Sequence, residues 1–230
     1  MPAALFAPAD SLAPGLARAL TALGRNVTEL PWGGDLRSGV DVAESDVLVT
    51  VAPRPQLGPL AGLEPGAWTG AIRDIAERPA AAARSLLAGG AGGKRWIAVI
   101  PHLSSLPSPG SGPYGAGGVL LQTVLRVAVI ENAASGFCAN AIAVGPLAGS
   151  LDAEGERTLR EDTPRGHATT LEELAALVHW LAGDAPAALN GETLKLDGGF
   201  SLTRKSRPAP SAEVAAWLVE EEWRTPAEKL

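Results

Sequence analysis

The stretch Asn190-Gly-Glu-Thr-Leu-Lys-Leu-Asp-Gly-Gly199 decides the fold class of this chain of 230 residues. It follows a helical run that begins at Thr170-Leu-Glu-Glu and carries apolar residues at helical spacing, namely Leu174, Leu177, Val178 and Leu181. Within the stretch, Thr193–Leu196 is predicted to be the last strand of a sheet. A helix that leads directly into a strand is typical of a parallel α/β sheet.

The rest of the chain repeats this alternation of strand and helix. Continuous apolar runs predict buried strands, and apolar residues at helical spacing predict helices. The predicted strands are Ala3–Pro8, Val27–Leu30, Asp46–Ala52, Arg95–Ile100, Phe137–Val144 and Thr193–Leu196. The predicted helices are Pro14–Gly24, Trp68–Leu87, Gly118–Asn132 and Thr170–Ala182. The sequence therefore predicts the α/β class, with a Rossmann-like, doubly wound parallel sheet in a single domain.

Composition limits the kinds of protein that this chain can be. A hydrophobic content of 46% and a charged content of 19% are those of a globular protein. The formal net charge of -6 argues against nucleic acid as a partner, because phosphate binding needs clustered Lys and Arg. A single cysteine, Cys138, and the lack of a long apolar span predict a cytoplasmic protein that does not enter a membrane.

Residues 1–202 account for the α/β pattern, and residues 203–230 form a C-terminal extension. Within the extension, Ser211–Glu222 places Val214, Trp217 and Leu218 opposite a run of three glutamates, which predicts a short amphipathic helix. The sequence leaves open whether this helix packs on its own domain or on a neighbouring subunit.

Three stretches carry a resemblance to a known family. Asn140-Ala-Ile-Ala-Val-Gly-Pro146, the helical run from Thr170 and the segment Asn190–Gly199 resemble the last third of the short-chain dehydrogenase/reductase family. The resemblance covers about residues 3 to 202 and is strongest from Tyr114 onward. It implies the Rossmann-like fold and, where the family's site residues are present, a nicotinamide dinucleotide as cofactor.

The first turn departs from the family pattern. In the family this turn reads Thr-Gly-x-x-x-Gly-x-Gly, and its glycines let the backbone approach the pyrophosphate. An alignment on Leu16-Ala-Arg-Ala-Leu20 places the three glycines at Ala7, Ser11 and Ala13, and Asp10 in the same turn would repel phosphate. The comparison therefore predicts that this chain binds no dinucleotide of its own.

The half of the sheet that binds adenine in the family is predicted to be shortened. Only about fifteen residues, Pro31–Ser45, separate the second and third predicted strands. The family uses a longer segment here, with a further helix and strand, and no apolar strand-like run occurs in this one.

Catalysis in the family uses a Tyr, a Lys four residues later and a Ser about thirteen residues earlier. Tyr114 is the only tyrosine, and it lies at the family spacing. Gly118 stands at the lysine position and Pro101 at the serine position, although Ser104 and Ser105 are near enough to substitute if the loop shifts. A tyrosine without a neighbouring cation transfers protons poorly at neutral pH. Tyr114 is therefore interpreted either as a structural relic or as part of a remodelled site.

The other ionisable candidates are few. His167 follows Thr163-Pro-Arg165 in the segment that forms the substrate loop of the family, and it completes the set of candidate site residues. His102, His167 and His179 fall at no metal-ligand spacing, so no metal site is predicted.

These observations leave three functions open. The favoured hypothesis is a non-catalytic subunit that assembles with an active dehydrogenase or reductase of the same family and supports its activity. The second is a cofactor-independent enzyme that uses a remodelled pocket around Tyr114 on a small molecule. The third is an NAD(P)-dependent oxidoreductase with atypical motifs.

The predicted partners follow from the favoured hypothesis. They are an active homologue of the same family in a hetero-oligomer, or further copies of this chain in a homodimer or tetramer. The helix after Tyr114 supports assembly, because Val119, Leu120, Val124, Leu125 and Val129 make it apolar on more than one side. No cofactor is expected, except NAD or NADP at a site that the partner subunit supplies.

Overall fold

A computed structural model describes residues 2–8, 11–32, 42–53, 58–106, 108–148 and 153–203. Its centre is a six-stranded parallel sheet in the order β2-β1-β3-β4-β5-β6. The strands are β1 Ala3–Ala7, β2 Val27–Pro31, β3 Val47–Val51, β4 Arg95–Pro101, β5 Cys138–Val144 and β6 Thr193–Leu196. Every residue of β1, β3 and β5 is buried, as expected for central strands that are covered on both faces.

Helices connect the strands and cover the sheet. They are α1 Ala13–Ala22, α2 Pro65–Ile72, α3 Arg78–Ala88, α4 Gly112–Asn132, α5 Ala153–Asp162, α6 Leu171–Ala182 and α7 Phe200–Thr203. A π-helical turn, Arg73–Glu77, joins α2 to α3. Pro79 has no amide hydrogen to donate to the preceding turn, and the wider π-helical turn accommodates this loss.

Two hydrophobic cores lie on the two faces of the sheet. Alternate strand residues point to opposite faces, so Leu5 and Val49 face α1 and α6, whereas Phe6 and Leu48 face α3 and α4. The second core also contains a buried hydrogen bond of 3.0 Å from Trp96 Nε1 to Thr50 Oγ1. These layers are the doubly wound arrangement that the sequence predicts.

The order of the strands positions the candidate site. The chain passes from β1 through α1 to β2 on one side, and β3 pairs with β1 on the other side. The carboxyl ends of β1 and β3 are therefore the topological switch point, where open α/β sheets bind their ligands.

The fold prediction is confirmed as a single-domain, Rossmann-like parallel sheet. The sequence did not predict α5, whose residues are mostly charged, or α7, which has only four residues. Residues 33–41 and 204–230 lie outside the described residues. The absence of a strand within Pro31–Ser45 and the amphipathic helix Ser211–Glu222 therefore stay predictions.

Among the described residues, one helix is long and apolar enough to cross a membrane. The helical segment Gly112–Ser135 reaches a mean hydropathy of 1.3 in its most apolar window. The face of α4 that carries Tyr114, Leu121 and Leu125 is buried against the sheet. This packing is that of a core helix in a globular domain, so the helix is weak evidence for a membrane span.

Candidate functional site

Small residues line the switch point between β1 and β3. Ala7 ends β1, and Ala52 directly follows β3. Both are buried, and the Ala52 amide continues the sheet by donating to the Val99 carbonyl at 2.9 Å. Both strand ends at the switch point therefore carry only a methyl group as side chain.

Ser11 organises the turn from β1 to α1. Its Oγ donates to the Pro8 carbonyl at 2.7 Å and accepts from the Ala13 amide at 3.2 Å. Pro14, in the first turn of α1, has no amide hydrogen. Helix N-termini bind phosphate through such amides. Here one of them is already bonded within the protein and a second is absent.

Trp32 lies beyond the carboxyl end of β2. Its ring centroid is 5.7 Å from that of Phe6, and the Arg78 guanidinium lies 5.7 Å from the indole ring. The indole Nε1 is buried without a hydrogen-bond partner among the described residues. The indole therefore packs against β1 on the side of the switch point that the resemblance assigns to adenine.

Tyr114 reaches the switch point from α4. Its side chain is buried, and its hydroxyl donates to the Pro53 carbonyl at 3.0 Å. Pro53 follows the carboxyl end of β3, so the only tyrosine of the chain joins α4 to the edge of the crevice.

Gly118 is packed too tightly to carry a lysine. A Cβ added at Gly118 would lie 2.3 Å from the Cβ of Ser104, a separation that requires one of the two segments to move. In this structure α4 approaches the 3-10 turn His102–Ser104 so closely that position 118 accommodates only a glycine. One turn earlier, Gly115 is less crowded, with the Leu103 carbonyl 3.5 Å from its added Cβ.

The two candidate serines differ in their surroundings. Ser104 is buried beside Gly118, and its Oγ donates to the Pro101 carbonyl at 2.8 Å. Ser105 is exposed at the end of the 3-10 turn. The structure therefore brings Ser104, but not the Ser105 side chain, into the packed junction between α4 and the end of β4.

His102 is a residue of this edge that the sequence did not single out. It directly follows β4 and is 2% exposed, and its ring meets the edge of Phe200 at a centroid distance of 5.5 Å. Asp197 sets the position of Phe200, because its two carboxylate oxygens accept from the Gly199 and Ser201 amides at 2.9 and 3.1 Å. The signal in the sequence was the position of His102 directly after a buried apolar strand.

His167 belongs to a different network, at the amino end of α6. Its Nε2 accepts from Arg165 Nε at 2.9 Å, and Arg165 also donates to Glu173 Oε1. Glu173 and Thr170 form a capping box, with distances of 2.9 and 3.2 Å. The hydrogen bond from Arg165 holds the pKa of Glu173 below its ordinary value, and the same contact raises the pKa of Arg165. This network fastens the segment before α6 to the first turn of that helix.

Within the described parts of the chain, no group of three His, Cys, Asp or Glu side chains could hold a metal ion. The strand order places Ala7 and Ala52 at the carboxyl ends of β1 and β3, where a nicotinamide dinucleotide would bind in this fold. The turn that carries Ser11 departs from the family pattern, because its hydroxyl stands where a glycine would expose backbone amides. The small residues at the strand ends thus fit a nicotinamide dinucleotide. The turn that carries Ser11 offers its pyrophosphate fewer amide donors than the family's glycine turn does.

A family model described as enoyl-(acyl carrier protein) reductase matches residues 58–201. A curated relative, cis-4-hydroxycyclohexanecarboxylate dehydrogenase from Sinomonas cyclohexanicum, is 30% identical over 175 residues, which are 72% of this chain and 69% of that protein. A second relative, NADPH-dependent aldehyde reductase-like protein from Arabidopsis thaliana, is 28% identical over 114 residues. That match spans 47% of this chain and 42% of the length of the plant protein.

Solved structures share the fold. Gluconate 5-dehydrogenase from Burkholderia cenocepacia, in complex with NADP and tartrate, superposes with a TM-score of 0.72 at 21% identity. The match covers 87% of this chain and 95% of the other.

The prediction of a non-catalytic subunit is wrong. The matched relatives are named as dehydrogenases and reductases, and nothing in them indicates a subunit without activity. The prediction that no cofactor is expected is also wrong, because structural neighbours hold NADP or NADPH. The error came from judging the site by its lost glycines and lysine, whereas the crevice depends on the order of the strands, which this chain retains.

Proposed function

The chain belongs to the short-chain dehydrogenase/reductase family, and from this premise we propose that it is an NAD(P)-dependent oxidoreductase. Its reaction is the interconversion of a hydroxyl and a carbonyl group on a small molecule. The observation that carries the proposal is the Tyr114 hydroxyl at the switch point, 3.0 Å from the Pro53 carbonyl.

The dinucleotide supplies the hydride chemistry of this reaction. The chain itself contributes the strand ends at Ala7 and Ala52 and the turn that Ser11 organises. Ser11 and the remaining amides of the first turn of α1 are the residues that would face the phosphates. Because the Ser11 hydroxyl already bonds the Ala13 amide, we expect weaker dinucleotide binding than a glycine turn gives.

Tyr114 and Ser104 are the proposed hydrogen-bonding residues on the substrate side. The Tyr114 hydroxyl donates a hydrogen bond to the Pro53 carbonyl, and the Ser104 hydroxyl donates one to the Pro101 carbonyl. His167 is not part of this group, because its hydrogen bonds are made at the amino end of α6.

The proposed substrate class is a small alcohol or hydroxy acid. Support comes from the names of the relatives, which include a hydroxycyclohexanecarboxylate dehydrogenase, an aldehyde reductase-like protein and a gluconate dehydrogenase. The soluble, cytoplasmic location predicted from the sequence is consistent with substrates of this kind.

Binding and turnover test this function separately. Titration calorimetry with NADPH and NADH measures binding, and reduction of NADP⁺ or NAD⁺ by cis-4-hydroxycyclohexanecarboxylate, gluconate and short-chain alcohols measures turnover. We expect micromolar to millimolar dissociation constants and turnover with at least one alcohol. The proposal fails if the chain binds neither dinucleotide at millimolar concentration.

We further propose that two copies of this chain pair through the outer face of α4. Val119, Val127 and Ile130 are 55%, 44% and 80% exposed on this face, an apolar surface that a folded protein rarely leaves in water. The sequence had placed Leu125 on the assembly surface as well, but Leu125 is buried in the core of its own domain.

The pairing is tested by analytical ultracentrifugation of the purified chain. We expect a dimer, and we expect Ile130→Lys to shift it to the monomer. Leu23→Lys, directly after α1, where Leu23 is 44% exposed, is the matched control and leaves the dimer intact. Even a weak dimer should form at a protein concentration of roughly 100 micromolar. A wild-type chain that is still monomeric at that concentration would contradict the proposal.

A further inference from the structure

A groove of about 460 Å³ lies between the outer faces of α1 and α6. Ala19, Ala22 and Leu171 form part of its apolar lining, and Leu23, which is 44% exposed, lies at its far end. The two helices pack on the face of the sheet opposite to α4, so the groove is separate from the proposed pairing surface of α4. An apolar groove of this size on the surface is typical of a site that binds another segment.

The described chain ends beside the mouth of this groove. α7 ends at Thr203, and Phe200 at its start packs against Ala168, shortly before α6 begins at Leu171. The same end of α1 is marked by Gly15, where an added Cβ would lie 2.6 Å from the Leu171 Cδ2. The C-terminal extension, of which residues 204–230 are not described by the structure, therefore starts near the mouth of the groove.

The extension is long enough to fill the groove. Its first part, Arg204–Pro210, can span up to about 25 Å at about 3.6 Å per extended residue. The predicted helix Ser211–Glu222 would be about 18 Å long at about 1.5 Å per residue. The lining that α1 contributes, from Gly15 to Leu23, covers about 12 Å on the same scale. A helix that enters at the mouth can thus cover the whole groove.

The predicted helix of the extension has an apolar face that needs a partner. Val214, Trp217 and Leu218 lie on this face. A helix of this length is marginal in water by itself, and its stability depends on the packing of its apolar face against the rest of the protein. The lining of the groove offers an apolar surface of matching length.

The charges of the groove and of the extension follow a complementary order. Glu172 lies at the mouth of the groove, Arg18 lies about one turn deeper, and Arg25 follows the far end of α1. The extension begins with the basic segment Arg204–Arg207, and its predicted helix ends with Glu220–Glu222. A helix that runs parallel to α1 brings the basic segment past the acidic mouth and the glutamates toward the basic end. Opposite charges in this order favour that orientation.

We propose that Ser211–Glu222 folds as a helix and docks into the groove between α1 and α6 of its own chain. Trp217 and Leu218 then lie against the apolar lining around Ala22, and the extension holds α1 and α6 together from outside. The docking does not depend on the oxidoreductase function.

A spin label tests the docking in the full chain. The label is attached at Ala216→Cys, on the side of the predicted helix opposite to its apolar face, and the native Cys138 is buried and does not react. We expect paramagnetic broadening to remove the amide signals of Ala19 and Ala175 in the groove. The amide signal of Ala128 on α4, across the sheet, should be retained. Full signals of Ala19 and Ala175 in the labelled chain would overturn the proposal.

Matched variants locate the contact on both partners. Trp217→Glu in the extension and Ala22→Glu in the groove each place a charge in the contact, so we expect either one to restore the broadened signals. Trp223→Glu, beyond the predicted helix, and Thr21→Glu, exposed on α1 outside the groove lining, are the controls and keep the broadening. Broadening that survives both Trp217→Glu and Ala22→Glu would contradict the docking mode.

The same label distinguishes docking within one chain from docking on a neighbouring copy. The measurement is repeated on the monomer, which is obtained with Ile130→Lys or by dilution and identified by sedimentation. We expect the broadening of Ala19 and Ala175 to persist, because the groove and the extension belong to one chain. Loss of the broadening on dissociation would place the extension on the neighbouring copy and overturn the assignment.

Discussion

The two halves of the sheet keep their glycines to different degrees. In the half built from β4 to β6, a Cβ at Gly145 would lie 2.8 Å from the Asp197 Cβ, and Gly198 and Gly199 have φ values of +60° and +88°. In the half built from β1 to β3, the family's glycine positions hold Ala7, Ser11 and Ala13. No described residue other than glycine has a positive φ, so these three adopt ordinary backbone conformations.

The difference separates two reasons for a glycine. In the second half, glycine is required by the fold itself, because a side chain would collide with a neighbouring segment or strain the backbone. In the first half, glycine serves the approach of a ligand, and its replacement leaves the chain able to fold. Replacing a glycine that packing or a positive φ requires would disrupt the fold. Replacing a glycine that a ligand approaches changes only how that ligand is bound.

The largest expected effect concerns Lys94, which connects the segment before β3 to α3. Lys94 is buried, and its Nζ donates to the Ala43 carbonyl at 2.5 Å and to the Leu86 carbonyl at 2.9 Å. We expect Lys94→Met to lower the free energy of unfolding by about 3 kcal/mol, since hydrogen bonds to charged groups contribute about 1.5–3 kcal/mol. Urea denaturation measures the change. The control Lys195→Met, at an exposed position of β6, should change it by less than about 0.5 kcal/mol.

The next effect tests close packing in the second half. Gly118→Ala places a methyl group against Ser104, and we expect it to destabilise the domain by about 2 kcal/mol, as overpacking commonly does. Gly115→Ala, one turn earlier on the same helix, has ordinary contact distance and should be neutral or stabilising by up to about 1 kcal/mol. Thermal melts of the two variants are compared directly. Equal melting temperatures would show that the contact with Ser104 does not restrict the size of the side chain at position 118.

The third effect returns to the first half and concerns binding. Ser11→Gly removes the hydroxyl that bonds the Ala13 amide, which leaves this donor available to a phosphate. We expect the dissociation constant for NADPH to fall about tenfold, the equivalent of one charge-assisted hydrogen bond of about 1.4 kcal/mol. Quenching of tryptophan fluorescence measures the constant, and Ser105→Gly at an exposed position serves as control. An unchanged constant would mean that the turn does not contact the phosphates.

The smallest effect lies at the amino end of α6 in the second half. Glu173 has a lowered pKa, so its contribution to stability is present above its ordinary value of 4.5 and is lost as the pH falls through the lower value of the folded state. We expect Glu173→Gln to lower the free energy of unfolding by about 1 kcal/mol at pH 7, as loss of a helix cap does. The difference from wild type should shrink below pH 4.5. A difference that is independent of pH would exclude the carboxylate as its cause.

Much of the fold could be read from local patterns. The buried strands β1, β3, β4 and β5 are continuous apolar runs, and the helix α6 begins at the capping box of Thr170 and Glu173. The position of Tyr114 near the functional edge could also be predicted, because its spacing to β5 follows the family. The contact of its hydroxyl with Pro53 could not, since the two residues are far apart in the chain.

The sequence by itself determined the class of the fold, the order of its elements and the loss of the family's turn glycines and lysine. These are local properties of neighbouring residues. The tertiary structure decided that Gly118 has no room for a lysine, that Ser11 bonds the first amide of α1, and that His102 meets Phe200 at the carboxyl edge. Each depends on segments that meet only after the sheet has formed, because the chain must close long loops before their side chains can touch.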